Sequence, residues 1–343
     1  MTLLLAIESS CDETAVALVR EDRTILAQRI ASQEEAHRPF GGVVPELAAR
    51  AHAERLSPMI AAVLDEAGLA LDDVDAIAAT AGPGLIGGVM VGLVCAKALA
   101  FAAGKPLYGI NHLEGHALSP RLVDAGLAFP YLLLLVSGGH CQLIAVDGIG
   151  HYRRLATTID DAAGEAFDKV AKMLDLGFPG GPAVERAAAA GQPVVPLPRP
   201  LVGSGEPHFS FAGLKTAVLR AVQSGRHSSA DIAASFQSAV TDCLADRTRL
   251  ALAAMPEASA LVVAGGVAAN SAVRTALRAE AVRAHIPFVA PPPWLCTDNA
   301  AMIGWAALER HAANLPPEPD PQARPRWPLD PTAEPARGAG VKA

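Results

Sequence analysis

Apolar residues fall into short runs broken by glycine- and proline-rich turns, with longer amphipathic stretches between them. Residues 3–7 and 15–19 are continuous apolar runs of strand length, joined by the polar tip Glu8-Ser-Ser-Cys-Asp-Glu-Thr14. This predicts a β-hairpin, with a third strand at 24–31. A helix is expected from Pro45, with Leu56, Met59, Ile60, Val63 and Leu64 on one face and Pro58 kinking or splitting it. Next come a strand at 76–80, the turn Gly82-Pro-Gly-Leu-Ile-Gly-Gly88, a buried helix to about 103, a strand at 106–110 and another helix. The pattern then restarts, with strands at 131–136 and 142–146 around the tight turn 137–140. Two strand-turn-strand units, each followed by helices, suggest two related α/β domains facing one another across a cleft, although hairpins also recur without duplication. Helices are expected at 161–174, through Glu185, and at 213–223, 229–254 and 271–283, with a last one through Met302 and Trp305. A strand is expected at 260–264 and a loop at 191–205. The Pro-rich, polar stretch 314–343 is expected to be largely disordered.

The length of 343 residues allows two domains, expected as 1–125 with about 300–313, and 126–299. A net charge of −7 supplies no general attraction to nucleic acid or to an anionic membrane, so any RNA contact falls to local arginines or partner proteins. The five cysteines are scattered without a Cys-x-x-Cys pair, which points to reduced, cytoplasmic use. Residues 1–7 lack a basic leader and meet Glu8 too soon for a signal peptide. Between 76 and 104 the sole charge is Lys97, but the glycine turn interrupts the stretch, which reads as buried core rather than a membrane span.

The sharpest chemical pattern is Asn111-His-Leu-Glu-Gly-His116. Histidines four apart lie one turn apart on one helical face, so both imidazoles can reach one ion; they also suit two unrelated surface histidines. Glu114 lies about 200° from His112 around the helix, so the general base of a His-Glu-x-x-His metallopeptidase is missing. Gly115 is expected to keep bulk away from the ion. Asp298 is either a third ligand or the cap of the last helix. The glycine-rich turns at 82–88, 137–139 and 265–266 leave backbone N–H groups open to phosphate, yet none matches the P-loop or dinucleotide pattern. Asp168 and Glu185 also suit helix-surface carboxylates, Asn270 a cap residue, and Asp12 a bond within its own turn.

Together these segments resemble the universal tRNA threonylcarbamoyladenosine transferases. The resemblance runs through Ile7-Glu-Ser-Ser-Cys-Asp-Glu-Thr14, Gly82-Pro-Gly-Leu85, Asn111-His-Leu-Glu-Gly-His116, Leu135-Val-Ser-Gly-Gly-His140 and Gly164-Glu-Ala-Phe-Asp-Lys169. It continues through Phe178-Pro-Gly-Gly-Pro182, Phe209-Ser-Phe-Ala-Gly-Leu-Lys-Thr216, Val263-Ala-Gly-Gly-Val-Ala-Ala-Asn270 and Thr297-Asp-Asn299. The segment Gly87-Gly-Val-Met90 is an unusual version of the helix start after the first glycine turn.

The resemblance implies an α/β, actin-like and sugar-kinase-like (ASKHA) fold of two RNase H-like domains with an interdomain cleft. It implies one divalent metal ion, Fe or Zn, on His112, His116 and Asp298. It places an adenylate against Leu135, Val136, Ser137, Gly138, Gly139, Asp168, Gly181, Glu185 and Asn270. The implied reaction moves a threonylcarbamoyl group from threonylcarbamoyl-adenylate to the exocyclic amine of the adenosine beside the anticodon, in tRNAs reading codons that begin with A. Asp12 is the candidate proton acceptor. TsaB-like and TsaE-like subunits are the implied protein partners. An ATP-dependent phosphotransferase or ATPase of the same fold is the rival reading, and it leaves the histidine pair unexplained.

Overall fold

The expected first hairpin forms: β1 (Leu3–Glu8) pairs antiparallel with β2 (Glu13–Arg20), and β2 with β3 (Ile25–Ser32). The structure is a computed structural model that describes residues 1–40 and 42–334. After β3 come α1 (Glu34–His37), α2 (Pro45–Ala67), β4 (Ala76–Gly82), α3 (Ile86–Ala103), β5 (Leu107–Asn111) and α4 (His112–Val123). The second run is β6 (Tyr131–Val136), β7 (Cys141–Gly148), β8 (His151–Thr157), α5 (Ala163–Met173), α6 (Gly180–Ala189), α7 (Ala212–Ser224) and α8 (Ser229–Ala254). It closes with β9 (Leu261–Ala264), α9 (Ser271–Arg283), β10 (Phe288–Val289), α10 (Pro293–Cys296) and α11 (Ala300–Ala312).

The chain divides into two units, Met1–Gly126 with Thr297–Pro331, and Leu127–Cys296 with the residues from Thr332. In the first unit the sheet order is β3-β2-β1-β4-β5, with β1, β4 and β5 parallel. Every residue of β1 and β4 is buried, which explains why these strands read as unbroken apolar runs. The second unit repeats the order as β8-β7-β6-β9-β10, with β6, β9 and β10 parallel. The shared order gives the two hairpins the common frame that their sequence pattern suggested.

Several expectations change. Strands β8 and β10 escaped the sequence pattern because each lies at a sheet edge: β8 carries adjacent arginines and buries only its last two residues, and β10 has two residues. Helix α2 runs through Pro58 without a break. Pro58 lies on the exposed side, where water can serve the carbonyl it leaves bare. Residues 297–299 belong to the first unit, although the sequence grouped them with the second.

The expected disorder after Asn314 is also corrected. Pro321 is buried, and Ala323 and Trp327 pack against the core of the first unit. The backbone of Arg324 donates to the Ala81 carbonyl at 2.7 Å. Prolines limit the freedom such a segment loses on docking, so a few backbone bonds and two apolar anchors suffice to order it. The part of that expectation concerning 335–343 lies outside the described residues.

Candidate metal centre and nucleotide cradle

In the first unit, the parallel strands β1, β4 and β5 bring Glu8, Thr80 and Asn111 to their carboxyl ends, where α/β sheets place ligand sites. Asn111 is the N-cap of α4, its side chain accepting from the Leu113 backbone at 2.9 Å, so His112 and His116 start the helix on one buried face. Asn299 caps α11 through the Met302 backbone, which leaves Asp298 uncapped and turned to the histidines. Asp298 Oδ1 lies 3.1 Å from His116 Nε2 and 3.4 Å from His112 Nε2. One donor atom from each of the three residues falls within 4.8 Å of the others.

Two buried imidazoles and a part-buried carboxylate, converging from one unit, suit a borderline divalent cation. Around them, burial works against charge and the partners outweigh it. Burial lowers the His112 pKa, but Asp298 and Glu8 raise it well above the ordinary imidazole value. Burial raises Asp298, but His112 and His116 hold it well below the usual carboxylate range.

The sequence reading missed Glu8. Fully buried, it accepts from His112 Nδ1 at 3.0 Å, from the Ser10 backbone at 2.5 Å and from the Thr80 hydroxyl. A carboxylate behind one imidazole nitrogen leaves the other nitrogen free for an ion. Glu13 was missed too: burial and the charges of Asp298 and Asp12 push its carboxyl up to about 10. His52 holds the hairpin tip, its Nε2 3.0 Å from the Cys11 carbonyl and its Nδ1 2.8 Å from the Thr14 hydroxyl.

Two local expectations resolve differently. Glu114 does turn away from the histidines, into a part-buried pair with Arg310 at 3.1 Å. Gly115 makes room for α11 rather than for an ion, because a Cβ there would meet Ile303 at 2.9 Å. The unusual α3 start packs closely, with the Ser9 hydroxyl bonded to the Gly88 carbonyl at 2.9 Å.

Asp12 lies in the first unit, and the predicted adenylate positions lie in the second. Leu135 and Val136 are fully buried in β6, and the turn Ser137-Gly138-Gly139 that follows is not. The Gly164 backbone at the start of α5 donates to the Ser137 carbonyl at 3.2 Å. Asp168 accepts from the Gly180 backbone at 2.9 Å. Glu185 accepts from the Ser271 backbone at 2.8 Å, and Asn270 caps α9 while donating to Gln237 at 2.9 Å. These bonds tie the start of α5 to the turn after β6, the start of α6 to α5, and the start of α9 to α6. Positions 138, 139, 181 and 266 are glycines with open space where a Cβ would stand. Bare backbone at several helix N-termini is suited to phosphate.

Residues 24–305 match the family model described as tRNA N6-adenosine threonylcarbamoyltransferase. The chain belongs to that family. Among relatives of that name, one from Sphingopyxis alaskensis is 73% identical over 344 residues and covers all of both chains. One from Zymomonas mobilis is 64% identical, covering 100% of this chain and 96% of its own. Among solved structures, HypF of T. kodakarensis aligns with 91% of this chain and 48% of its own at TM-score 0.62 and 15% identity. Component A of the (R)-2-hydroxyglutaryl-CoA dehydratase of Acidaminococcus fermentans aligns with 91% of this chain and 100% of its own at TM-score 0.54 and 16% identity. These neighbours carry the actin-like, sugar-kinase-like fold, and this threonylcarbamoyltransferase-family chain shares it.

Proposed function

We propose that the chain is a tRNA adenosine threonylcarbamoyltransferase that takes its acyl group from threonylcarbamoyl-adenylate and delivers it to the exocyclic amine of the adenosine beside the anticodon. The observation that carries the reading is the convergence of His112, His116 and Asp298 in a chain matched to this family over nearly its whole length. AMP is a good leaving group, so the site needs position and charge stabilisation rather than an enzyme nucleophile. An iron or zinc ion, when bound, supplies Lewis-acid stabilisation of the acyl oxygen. His112, His116 and Asp298 would hold it, with Glu8 orienting His112. Ser137, Gly138, Gly139, Asp168, Gly181, Glu185 and Asn270 would cradle the adenylate. As the amine nitrogen attacks the acyl carbon and the bond to AMP breaks, the amine's proton passes to Asp12.

The acidic chain meets RNA with help, and TsaB-like and TsaE-like subunits are the proposed partners in the cytoplasm. The outer face of α3 supports a protein partner: Ile86, Met90, Val94 and Phe101 are all exposed, Phe101 by 91%. The test is to incubate the full chain and those partners with threonylcarbamoyl-adenylate and unmodified tRNA. Modified adenosine is expected, and His116→Ala is expected to lose bound metal and transfer together while its fold persists. Full metal occupancy with unchanged transfer in that variant would remove the site, and phosphorylation of a small metabolite from ATP without modified tRNA would favour a kinase instead.

A further inference from the structure

The segment 320–327 lies beyond residues 24–305, the part the family model matches, yet it bonds both the turn that leads from β4 into α3 and the end of β5 that launches the histidine helix. The Arg324 N–H donates to the Ala81 carbonyl at 2.7 Å, and the Pro325 carbonyl accepts from the Gly84 N–H at 3.3 Å. The Trp327 carbonyl then accepts from Asn111 Nδ2 at 2.9 Å. Asn111 is 3% exposed, and its other side-chain atom, Oδ1, caps α4 one residue before His112. One amide is thus held from both ends, and its two bonds specify its orientation. The segment has its own anchors. Asp320 pairs with Lys97 at 2.5 Å, the Arg324 guanidinium stands 4.5 Å over the Trp327 ring, and Trp327 packs on the core. At Gly82 a Cβ would collide with the Arg324 carbonyl, so the turn admits the strap only as glycine.

We infer that residues 320–327 are a positioning strap that, through the Trp327 carbonyl and Asn111, fixes the start of α4 and thereby the relative placement of His112 and His116. Its catalytic consequence rests on the metal reading given above. Its structural content does not. A loosened cap lets the first turn of α4 fray, and that turn carries one of the two imidazoles.

Full-length Trp327→Ala, Trp327→Phe and Asn111→Asp chains test this. Asn111→Asp keeps the acceptor for Leu113 and replaces the donor to Trp327 with a carboxylate oxygen that repels the Trp327 carbonyl. Two quantities are read: amide hydrogen exchange across 112–116 in metal-free protein, and the zinc dissociation constant by competition with a chromophoric chelator. Trp327→Ala and Asn111→Asp are expected to exchange about tenfold faster at those amides and to bind zinc about tenfold more weakly, while Trp327→Phe stays near the parent. Parental exchange in both Trp327→Ala and Asn111→Asp would overturn the strap. Accelerated exchange in those two variants, alongside a parent that binds no zinc, would uphold the strap and remove the metal reading alone.

Discussion

Behind His112, a carboxylate that touches no substrate selects which ring nitrogen faces the site. Glu8 is buried with three donors on it, so its negative charge is already compensated and its geometry is fixed. Glu8→Gln is expected to lower zinc affinity about 10- to 100-fold, the usual cost of losing such a partner, with the far-UV circular dichroism unchanged. Equal zinc titration curves for variant and parent would contradict the role. The histidine pair was legible because its spacing alone puts both rings on one face. Glu8 was not, since a single carboxylate ending an apolar strand has no periodicity to betray it. Asp298 lay between the two cases: local sequence favoured a helix cap, and the neighbouring Asn299 takes the cap instead.

At the scale of elements, the proposed nucleotide cradle depends on how closely helices approach the ends of strands. A Cβ on Gly164 would stand 2.5 Å from the Ser137 carbonyl oxygen, so α5 can reach the turn only without one. Gly164→Ala is expected to cost about 1–3 kcal/mol in stability through overpacking and to weaken AMP binding. Denaturant unfolding and AMP titration read the two effects; a variant parental in both would show that the approach has no bearing on the cradle. Central strands and long helices were legible from their periods. Edge strands and the strap were not, because their backbone bonds are decided by which partner edge or turn lies open, a matter the side-chain pattern does not encode. The polar stretch after Asn314 has few apolar residues, but Trp327 and Ala323 land on a core already built by other elements.

For the whole molecule, α3 is the uncommon feature. It is long and apolar enough to cross a membrane by length and composition, yet its inner face packs against α2 and β4. Its outer face retains Met90 and Val94, 49% and 58% exposed. Met90→Glu with Val94→Glu is expected to abolish co-elution with a TsaB-like subunit in size-exclusion chromatography. Stability should shift by less than about 0.5 kcal/mol per site, as for exposed positions. Co-elution surviving the double change would move the partner surface elsewhere.

The sequence by itself determined the two hairpin units, the helix phases, the glycine turns and the pairing of His112 with His116, because each follows from spacing along a few neighbouring residues. Tertiary structure alone decided that Asp298, 182 positions from His116, meets it, that Glu8 stands behind His112, and that the polar end of the chain folds back over the Asn111 cap. Those outcomes depend on closing long loops and on burial, where a carboxylate or amide must find a partner or carry a desolvation cost. Which partner is within reach becomes defined once the two sheets are in place.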